Sequence, residues 1–286
     1  MKPIVVILNP KARSEKAQSL AEDVTRLADN VVVRMTRSAD DARQLAVQAV
    51  NEGFETIVAA GGDGTVNDIV NGLAGSDVTL GLLPLGTMNV FASELGIPAN
   101  NLRKSWEIIR AGHVRRIDLG RANDRYFVQL AGVGLDAQVV QETTWKLKKS
   151  IGPLSYLVNA AQIASRKPPK LVVEWDGRSD SGSFVLVGNG RFYGGPFTIF
   201  KDARIDDGLL DVLIFKNLGY LDIVRYLQGI LFGTHTQMTD VEYFQTPSVT
   251  VRSDEEVPVE VDGEVIGSVP VTFRLSSKKL KVLAPG

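Results

Sequence analysis

Residues 57–73 read IVAAGGDGTVNDIVNGL, and the junction inside this stretch decides how the chain is read. Thr56–Ala60 has the length and apolar character of a buried strand. Val66, Ile69, Val70 and Leu73 then fall at i, i+3, i+4 and i+7, the period of an amphipathic helix. Gly61-Gly62-Asp63-Gly64-Thr65 stands between them. A loop that only turned the chain would not need three glycines and an aspartate. Glycine lets a backbone approach a ligand and aim N–H groups at it. The N-terminus of the following helix attracts anions, so the junction suits a phosphate. Thr65 and Asp68 also match a capping box, which satisfies free N–H groups without any ligand. Capping accounts for Thr65 and Asp68, but not for Gly61, Gly62 and Asp63. A carboxylate at Asp63 repels a bare phosphate; it makes sense with a magnesium ion, or a water bound to one, between them.

The same alternation extends outward. Ile4–Leu8, Val31–Met35 and Thr79–Leu83 read as strands, and Ser14–Ala28, Asp40–Val50 and Met88–Leu95 as helices. Strands alternating with helices predict βαβ units and a parallel sheet. Ligands of such sheets bind beyond the C-terminal strand ends. Asn9-Pro10, Thr36, Gly61–Thr65 and Pro84-Leu85-Gly86-Thr87 follow the four strands, which gathers the unusual residues on one edge.

Past about Gly120 short strand-like runs dominate: Tyr126–Val133, Leu171–Trp175, Ser183–Gly188, Leu209–Phe215, Ser248–Arg252, Val257–Val261 and Val269–Leu275. Asp176-Gly177, Asp207-Gly208 and Asp262-Gly263 read as hairpin turns. Val140–Ala164 and Leu218–Phe232 interrupt them as helices. The expectation is a second, mostly β domain of two packed sheets. The turn Asp262-Gly263-Glu264 can also push a carboxylate into a cleft, with Asp262 or Glu264 as general base. Asp206-Asp207-Gly208 is either a turn or a hard-cation site of carboxylate and backbone oxygens. The GxGxxA from Gly132 to Ala137 opens the β-rich half and reads as glycines at a strand bend.

Composition narrows the classes. The 286 residues are 44% hydrophobic, enough for two domains. A net charge of −1 offers no global field for nucleic acid. The absence of cysteine excludes disulfides and thiolate metal sites. Two histidines, His113 and His235, leave little for a histidine metal cluster or a Ser-His-Asp triad, and His113 reads as structural. No apolar run approaches the roughly 20 residues of a membrane-spanning helix, and the N-terminus does not read as a signal peptide. The expectation is a soluble, cytoplasmic protein able to touch a membrane surface. Trp145, Lys146, Lys148, Lys149, Arg166, Lys167 and Lys170 frame a helical stretch that suits either an anionic membrane or a solvated face of the β domain.

Four blocks, GGDGTVNDIVNGL (61–73), PLGTMNVFASELGIP (84–98), GGPFTIFKDARIDDGLLDVLIF (194–215) and VDGE (261–264), occur in an order that resembles the bacterial diacylglycerol-kinase-like lipid kinases. The first block alone is shared with NAD kinases and phosphofructokinase-type enzymes. The resemblance implies a Rossmann-like ATP-binding domain over 1–120, a β-sandwich over 121–276, an active cleft between them, and a last strand near Leu280–Leu283 returning to the first domain. It implies an ATP- and magnesium-dependent kinase of a lipid hydroxyl, with a lipid partner at a membrane surface. By position Asn9, Thr36, Gly61, Gly62, Asp63, Gly64, Thr65, Val66, Asn67 and Thr87 would contact ATP. Glu264 matches the proton acceptor, with Asp262 beside it. Arg204, Asp207 and Leu209 match a magnesium site, Arg204 and Leu209 through their carbonyls. Three positions depart from the family. Its early glycine is missing from Asn9-Pro10-Lys11-Ala12-Arg13, its Asn-Asp is Asn89-Val90 here, and its Pro-x-Ala is Lys201-Asp202-Ala203. The alternatives are a kinase of a soluble substrate such as NAD, and a non-catalytic nucleotide- or lipid-binding protein.

Overall fold

The structure is a computed structural model that describes residues 4–13, 26, 31–38, 41–99, 101–135, 137–138, 168–195 and 197–286. The expected helices Ser14–Ala28 and Val140–Ala164 lie outside the described residues, Arg26 excepted. So does the basic stretch from Trp145 to Lys167. The chain divides into two units, Met1–Leu119 with Ser277–Gly286, and Gly120–Ser276.

In the first unit, apolar five- and six-residue runs become strands β1 (Ile4–Leu8), β2 (Val31–Met35), β3 (Thr56–Gly61) and β4 (Thr79–Pro84). With β5 (Val114–Ile117) and β20 (Leu280–Leu283) they form one sheet in the order β2-β1-β3-β4-β20-β5. Every pair is parallel except β20 with β5. Val5–Leu8 and Ile57–Ala60 are fully buried, as strands covered on both faces must be. Helices α1 (Asp41–Asn51) and α2 (Asp63–Leu73) pack closely. Gly72 permits this, since a Cβ there would stand 2.7 Å from both Ala46 Cβ and Arg43 O. Helices α3 (Val90–Glu94) and α4 (Leu102–Ala111) follow β4. Trp106 and Ile109 of α4 pack on Val58, Leu83 and Leu283.

The second unit holds two six-stranded antiparallel sheets. One runs β10 (Arg178–Gly182), β9 (Leu171–Trp175), β16 (Ser248–Arg252), β19 (Val271–Leu275), β6 (Gly120–Ala122) and β7 (Arg125–Phe127). The other runs β15 (Val241–Thr246), β14 (Leu210–Phe215), β11 (Phe184–Gly188), β8 (Leu130–Val133), β17 (Pro258–Val261) and β18 (Glu264–Ser268). A short ribbon, β12 (Phe192–Tyr193) against β13 (Phe197–Thr198), lies between β11 and β14 in the chain. Alternate residues of the two large sheets, among them Val173, Val185, Val212, Val251, Val261 and Phe273, fill the core between them. Fully burying each such side chain is worth about 1.5–3 kcal/mol. The opposite face of the second sheet is covered by α5 (Tyr220–Phe232), whose Ile223 and Tyr226 pack on Phe184, Leu213 and Phe215.

Three expectations are corrected. Tyr126–Val133 is not one strand: it splits into β7 and β8, in different sheets, because Asp262 gathers the N–H groups of Val128, Gln129 and Leu130 at the break. Asp176-Gly177 and Asp262-Gly263 are two-residue hairpin turns with positive φ at both positions. Asp207-Gly208 is not a hairpin turn, since the strands on either side of it do not pair with each other. The capping box also fails. α2 begins at Asp63 with Gly62 as N-cap and no side-chain cap, so Thr65 already lies inside the helix.

Candidate active site

Because β1 to β4 are parallel, their C-terminal ends share one edge, and Asn9, Thr36, Gly61 and Leu85 lie there. The loops at this edge are stitched together. Asn9 Nδ2 donates to Thr65 Oγ1 at 3.0 Å, and Asn9 Oδ1 accepts from the Lys11 N–H. The Thr36 N–H donates to Leu8 O, and the Leu85 N–H to Gly61 O.

The three glycines of the junction separate into two kinds. A Cβ on Gly61 would lie 2.5 Å from Thr65 Oγ1, and one on Gly62 3.2 Å from Gly86 Cα. Those two are demanded by the close approach of neighbouring groups. Gly64 is different: a Cβ there meets nothing within 4 Å. Nothing in the fold asks for a glycine at the first turn of α2. The buried amide of Asn67 adds a second unexplained feature, since its Nδ2 has no acceptor among the described residues while its Oδ1 accepts from Asn71. Thr87 is exposed on the loop after β4.

Asp63 is half-buried and turned toward α3, where its Oδ1 accepts from the Phe91 N–H at 3.3 Å. Burial raises its carboxyl above the ordinary range, against the pull of the N–H groups of Phe91, Val90 and Asn89. Its acidity at this loop therefore has a partner inside the fold, the N-terminus of α3.

In the second unit the two candidate bases differ sharply. Asp262 Oδ2 accepts from the Val128 N–H at 2.8 Å, and its Oδ1 from those of Gln129 and Leu130 at 3.0 Å each. A carboxylate holding three backbone donors is an anchor for the turn and a poor proton acceptor. Glu264 is exposed and bonded to the guanidinium of Arg125. Of the pair, Glu264 is the more exposed.

The candidate metal residues form one loop. Asp207 Oδ1 accepts from the Leu209 N–H at 3.0 Å, and the Asp207 N–H donates to Arg204 O at 3.3 Å. Asp211, four residues past Asp207, is buried, and Tyr243 and Gln245 bond its Oδ1. Burial pushes its carboxyl up to about 6, the hydrogen bonds work against this, and the charges of Asp207 and Asp202 push it further up.

The comparisons with known proteins bear on what these loops do. Residues 3–122 match the diacylglycerol kinase catalytic domain, and residues 129–284 match the YegS C-terminal NAD kinase beta sandwich-like domain. A diacylglycerol kinase of Bacillus subtilis (strain 168) is 33% identical over 255 residues, covering 87% of this chain and 84% of its own. One of Staphylococcus aureus (strain JH9) is 32% identical over 87% and 81%. The chain belongs to the diacylglycerol kinase family. Its fold agrees with that assignment: a crystal structure of a putative diacylglycerol kinase from Bacillus anthracis str. Sterne superimposes with a TM-score of 0.86 at 25% identity, over 99% of this chain and 95% of that one. A diacylglycerol kinase from the same organism gives 0.76 at 22% over 99% and 97%. The chain is thus a kinase whose acceptor is a hydroxyl.

A kinase family implies a nucleotide donor and a divalent cation, and the residues present fit both. The bare backbone at Gly64 and the orphaned Asn67 amide suit an anionic, hydrogen-bonding ligand at a helix N-terminus. The loop from Asp202 to Asp211 offers only oxygen donors and carries mutually repelling carboxylates, the chemistry of a hard cation site. Among the described residues no group of three or more His, Cys, Asp or Glu side chains is arranged to hold a metal, so backbone carbonyls would have to complete the set.

Sequence reasoning misses two contributors. Arg125, the partner of Glu264, carries no local signal, because 139 residues separate the two. Asp211 does carry one: it is the single charge in the apolar strand LLDVLIF. His235, for which the sequence suggests no role, is fully buried, its two ring nitrogens facing the carbonyls of Gly229 and Ile199, and is structural.

Proposed function

We propose that this protein transfers the γ-phosphoryl group of ATP to the hydroxyl of a lipid of the diacylglycerol type. The observation that carries the reading is Gly64, an open glycine at the start of α2 that the fold itself does not require. The N–H groups of Gly62–Thr65 receive the phosphates, and Asn9, Thr36 and Thr87 flank them. Asn67 places its amide toward the nucleotide. The lipid hydroxyl oxygen attacks the γ-phosphorus, and the bond to the bridging β–γ oxygen breaks. ADP leaves with that electron pair, and the hydroxyl proton passes to the Glu264 carboxylate. Asp207, with the carbonyls of Arg204 and Leu209, would hold magnesium. When bound, the metal offsets charge around the transferring group. Arg125 orients Glu264, and Asp262 anchors the turn that presents it.

The lipid acceptor rests on the kinship with diacylglycerol kinases. A lipid acceptor would put the work of this enzyme in lipid metabolism at a membrane surface. No helix among the described residues is long and apolar enough to cross a membrane. A soluble acceptor such as NAD is the second reading, favoured by the match of residues 129–284 to an NAD kinase-like sandwich.

The test follows labelled γ-phosphate from ATP with magnesium into diacylglycerol, sphingoid bases, phosphatidylglycerol and a total lipid extract in mixed micelles. NAD serves as the soluble control and Glu264→Gln as the blank. Label in a lipid, lost in the blank, supports the proposal and names the acceptor. Label in NAD alone transfers the chain to the second reading. ATP bound with no product from any acceptor would leave a nucleotide-binding protein, with Val90 as the first suspect.

A further inference from the structure

We propose that Asn89 is a positioning residue that sets the spacing between the two loops receiving the nucleotide; this rests on the reading given under Proposed function. Asn89 is the N-cap residue of α3, but its side chain does not cap the helix. It points the other way. Its Oδ1 accepts from the Gly86 N–H at 2.9 Å, and its Nδ2 donates to the Gly86 carbonyl at 2.7 Å. One amide thus satisfies both polar groups of a single glycine.

Gly86 is the point where two loops touch. A Cβ there would stand 2.5 Å from Gly62 Cα and 2.9 Å from Asn89 Oδ1. Gly62, Gly86 and the Asn89 amide are therefore stacked in sequence, with no room for a side chain between them. Gly62 is the N-cap of α2, two residues before the open Gly64. Holding Gly86 fixes the wall against which the phosphate-facing N–H groups of α2 are set. Beside it the Leu85 N–H donates to Gly61 O at 2.8 Å, which ties the same loops through their backbones.

The conformation of Asn89 fits this role. Its φ of 48° and ψ of 49° are left-handed, a region asparagine enters more readily than most residues. Its carbonyl accepts from the Ser93 N–H and the Ser93 hydroxyl, so α3 holds the residue from behind. Asn89 is 3% exposed, which makes it the buried link between a helix and an exposed ligand-facing loop. A site held in advance binds more tightly than one that must be ordered on binding.

Three variants separate positioning from folding. Asn89→Gly keeps the left-handed backbone and removes the amide. Asn89→Asp keeps an acceptor for Gly86 N–H and loses the donor. Asn89→Ala loses both the amide and the backbone preference. The readouts are ATP affinity by calorimetry, KM for ATP against kcat, melting temperature, and hydrogen exchange at Leu85 to Asn89. Losing two hydrogen bonds that pre-form the site should weaken ATP affinity about tenfold in Asn89→Gly. KM for ATP should rise with it, kcat and KM for the acceptor should change less, and exchange at Gly86 should quicken. Asn89→Asp sets a carboxylate oxygen against the Gly86 carbonyl and adds negative charge beside the phosphates, so it should weaken ATP affinity at least as much as Asn89→Gly. A purely structural asparagine would lower the melting temperature and leave the KM of the folded fraction unchanged. Native ATP affinity in folded Asn89→Gly would overturn the positioning role while leaving the proposed function standing. A native chain that binds no ATP would overturn both.

Discussion

At the scale of single residues, stability and function pull apart at Gly64 and coincide at Gly61. A methyl at position 64 would meet no neighbour within 4 Å, and Gly64 has no positive φ to relieve. Alanine is the better helix former, so Gly64→Ala should leave stability unchanged or raise it by up to about 1 kcal/mol. The new methyl occupies the space assigned to phosphate, and KM for ATP should rise by an order of magnitude or more. Gly61→Ala instead drives a methyl into Thr65 and should lower the melting temperature directly. A Gly64→Ala variant with native KM would remove the observation on which the nucleotide site rests.

The carboxylates of the Asp262-Gly263-Glu264 turn divide in the same way. Asp262→Asn leaves three backbone N–H groups facing one neutral oxygen and an amide, and should cost about 2–4 kcal/mol in denaturant unfolding. Glu264→Gln disturbs only an exposed pair with Arg125, which is worth about 0–1 kcal/mol. It should nevertheless lower phosphoryl transfer by about 100-fold or more, the usual contribution of a general base. A stable, inactive Asp262→Asn beside an active Glu264→Gln would exchange the two roles.

Among the elements, α5 shows how a helix is fastened to the edge of a sheet. Arg225 bonds both oxygens of Asp240, just before β15, and Tyr226 Oη and Asn217 Nδ2 reach the same carboxylate at 2.7 and 2.8 Å. The guanidinium holds Asp240 well below the usual carboxylate range, against its desolvation, and the other two donors help. A depressed folded pKa gives stability that is present above the ordinary value of 3.8 and lost as pH falls from there toward the folded value. Asp240→Asn should therefore cost about 1–3 kcal/mol at pH 6. That cost should shrink steadily below about pH 4, as measured by urea unfolding across the pH range. A cost that stayed flat with pH would show that the charge is not what fastens the helix.

What can be read from sequence follows from the range of each interaction. The strands β1, β3, β4, β11 and β14 are legible because burial on both faces demands nearly continuous apolar runs, Asp211 being the one charge among them. The edge strand β10, RSDSG, is not, since half of a hairpin at a sheet edge needs no apolar face. β7 and β8 look like one strand because the carboxylate that parts them comes from Asp262, 134 residues beyond Val128. The site behaves alike. Its glycines are visible, but which of them the fold requires depends on Gly62 meeting Gly86 and Gly61 meeting Thr65, contacts that no local pattern encodes.

For the molecule as a whole, the decisive feature is that one unit is continuous and the other is not. Gly120–Ser276 contains both of its sheets, the core between them and the helix over its outer face within one stretch of chain. The sheet of the first unit takes its fifth strand, β20, from the far end of the sequence and places it between β4 and β5. Val282 of β20 is fully buried, Leu280, Leu283 and Ala284 nearly so. Lys279 Nζ pairs with the buried Asp118 at 2.9 Å, and Lys278 Nζ donates to Gly75 O at 2.7 Å. Without β20, β4 and β5 each lose a neighbour in the sheet, and both expose backbone groups that were paired. The two units should consequently differ when separated. Residues 120–276 expressed alone should unfold in a single cooperative transition. Residues 1–119 alone should lack a folded core by circular dichroism and amide exchange, and should recover it when 277–286 is fused after residue 119 through a flexible linker. In the intact chain Val282→Asp, which buries a charge in that sheet, should cost several kcal/mol and expose the amides of β4 and β5 before those of β11 and β14. A fragment 1–119 that folded by itself would mean that β5 closes the sheet against β4 unaided, and that the returning strand reinforces the first unit instead of completing it.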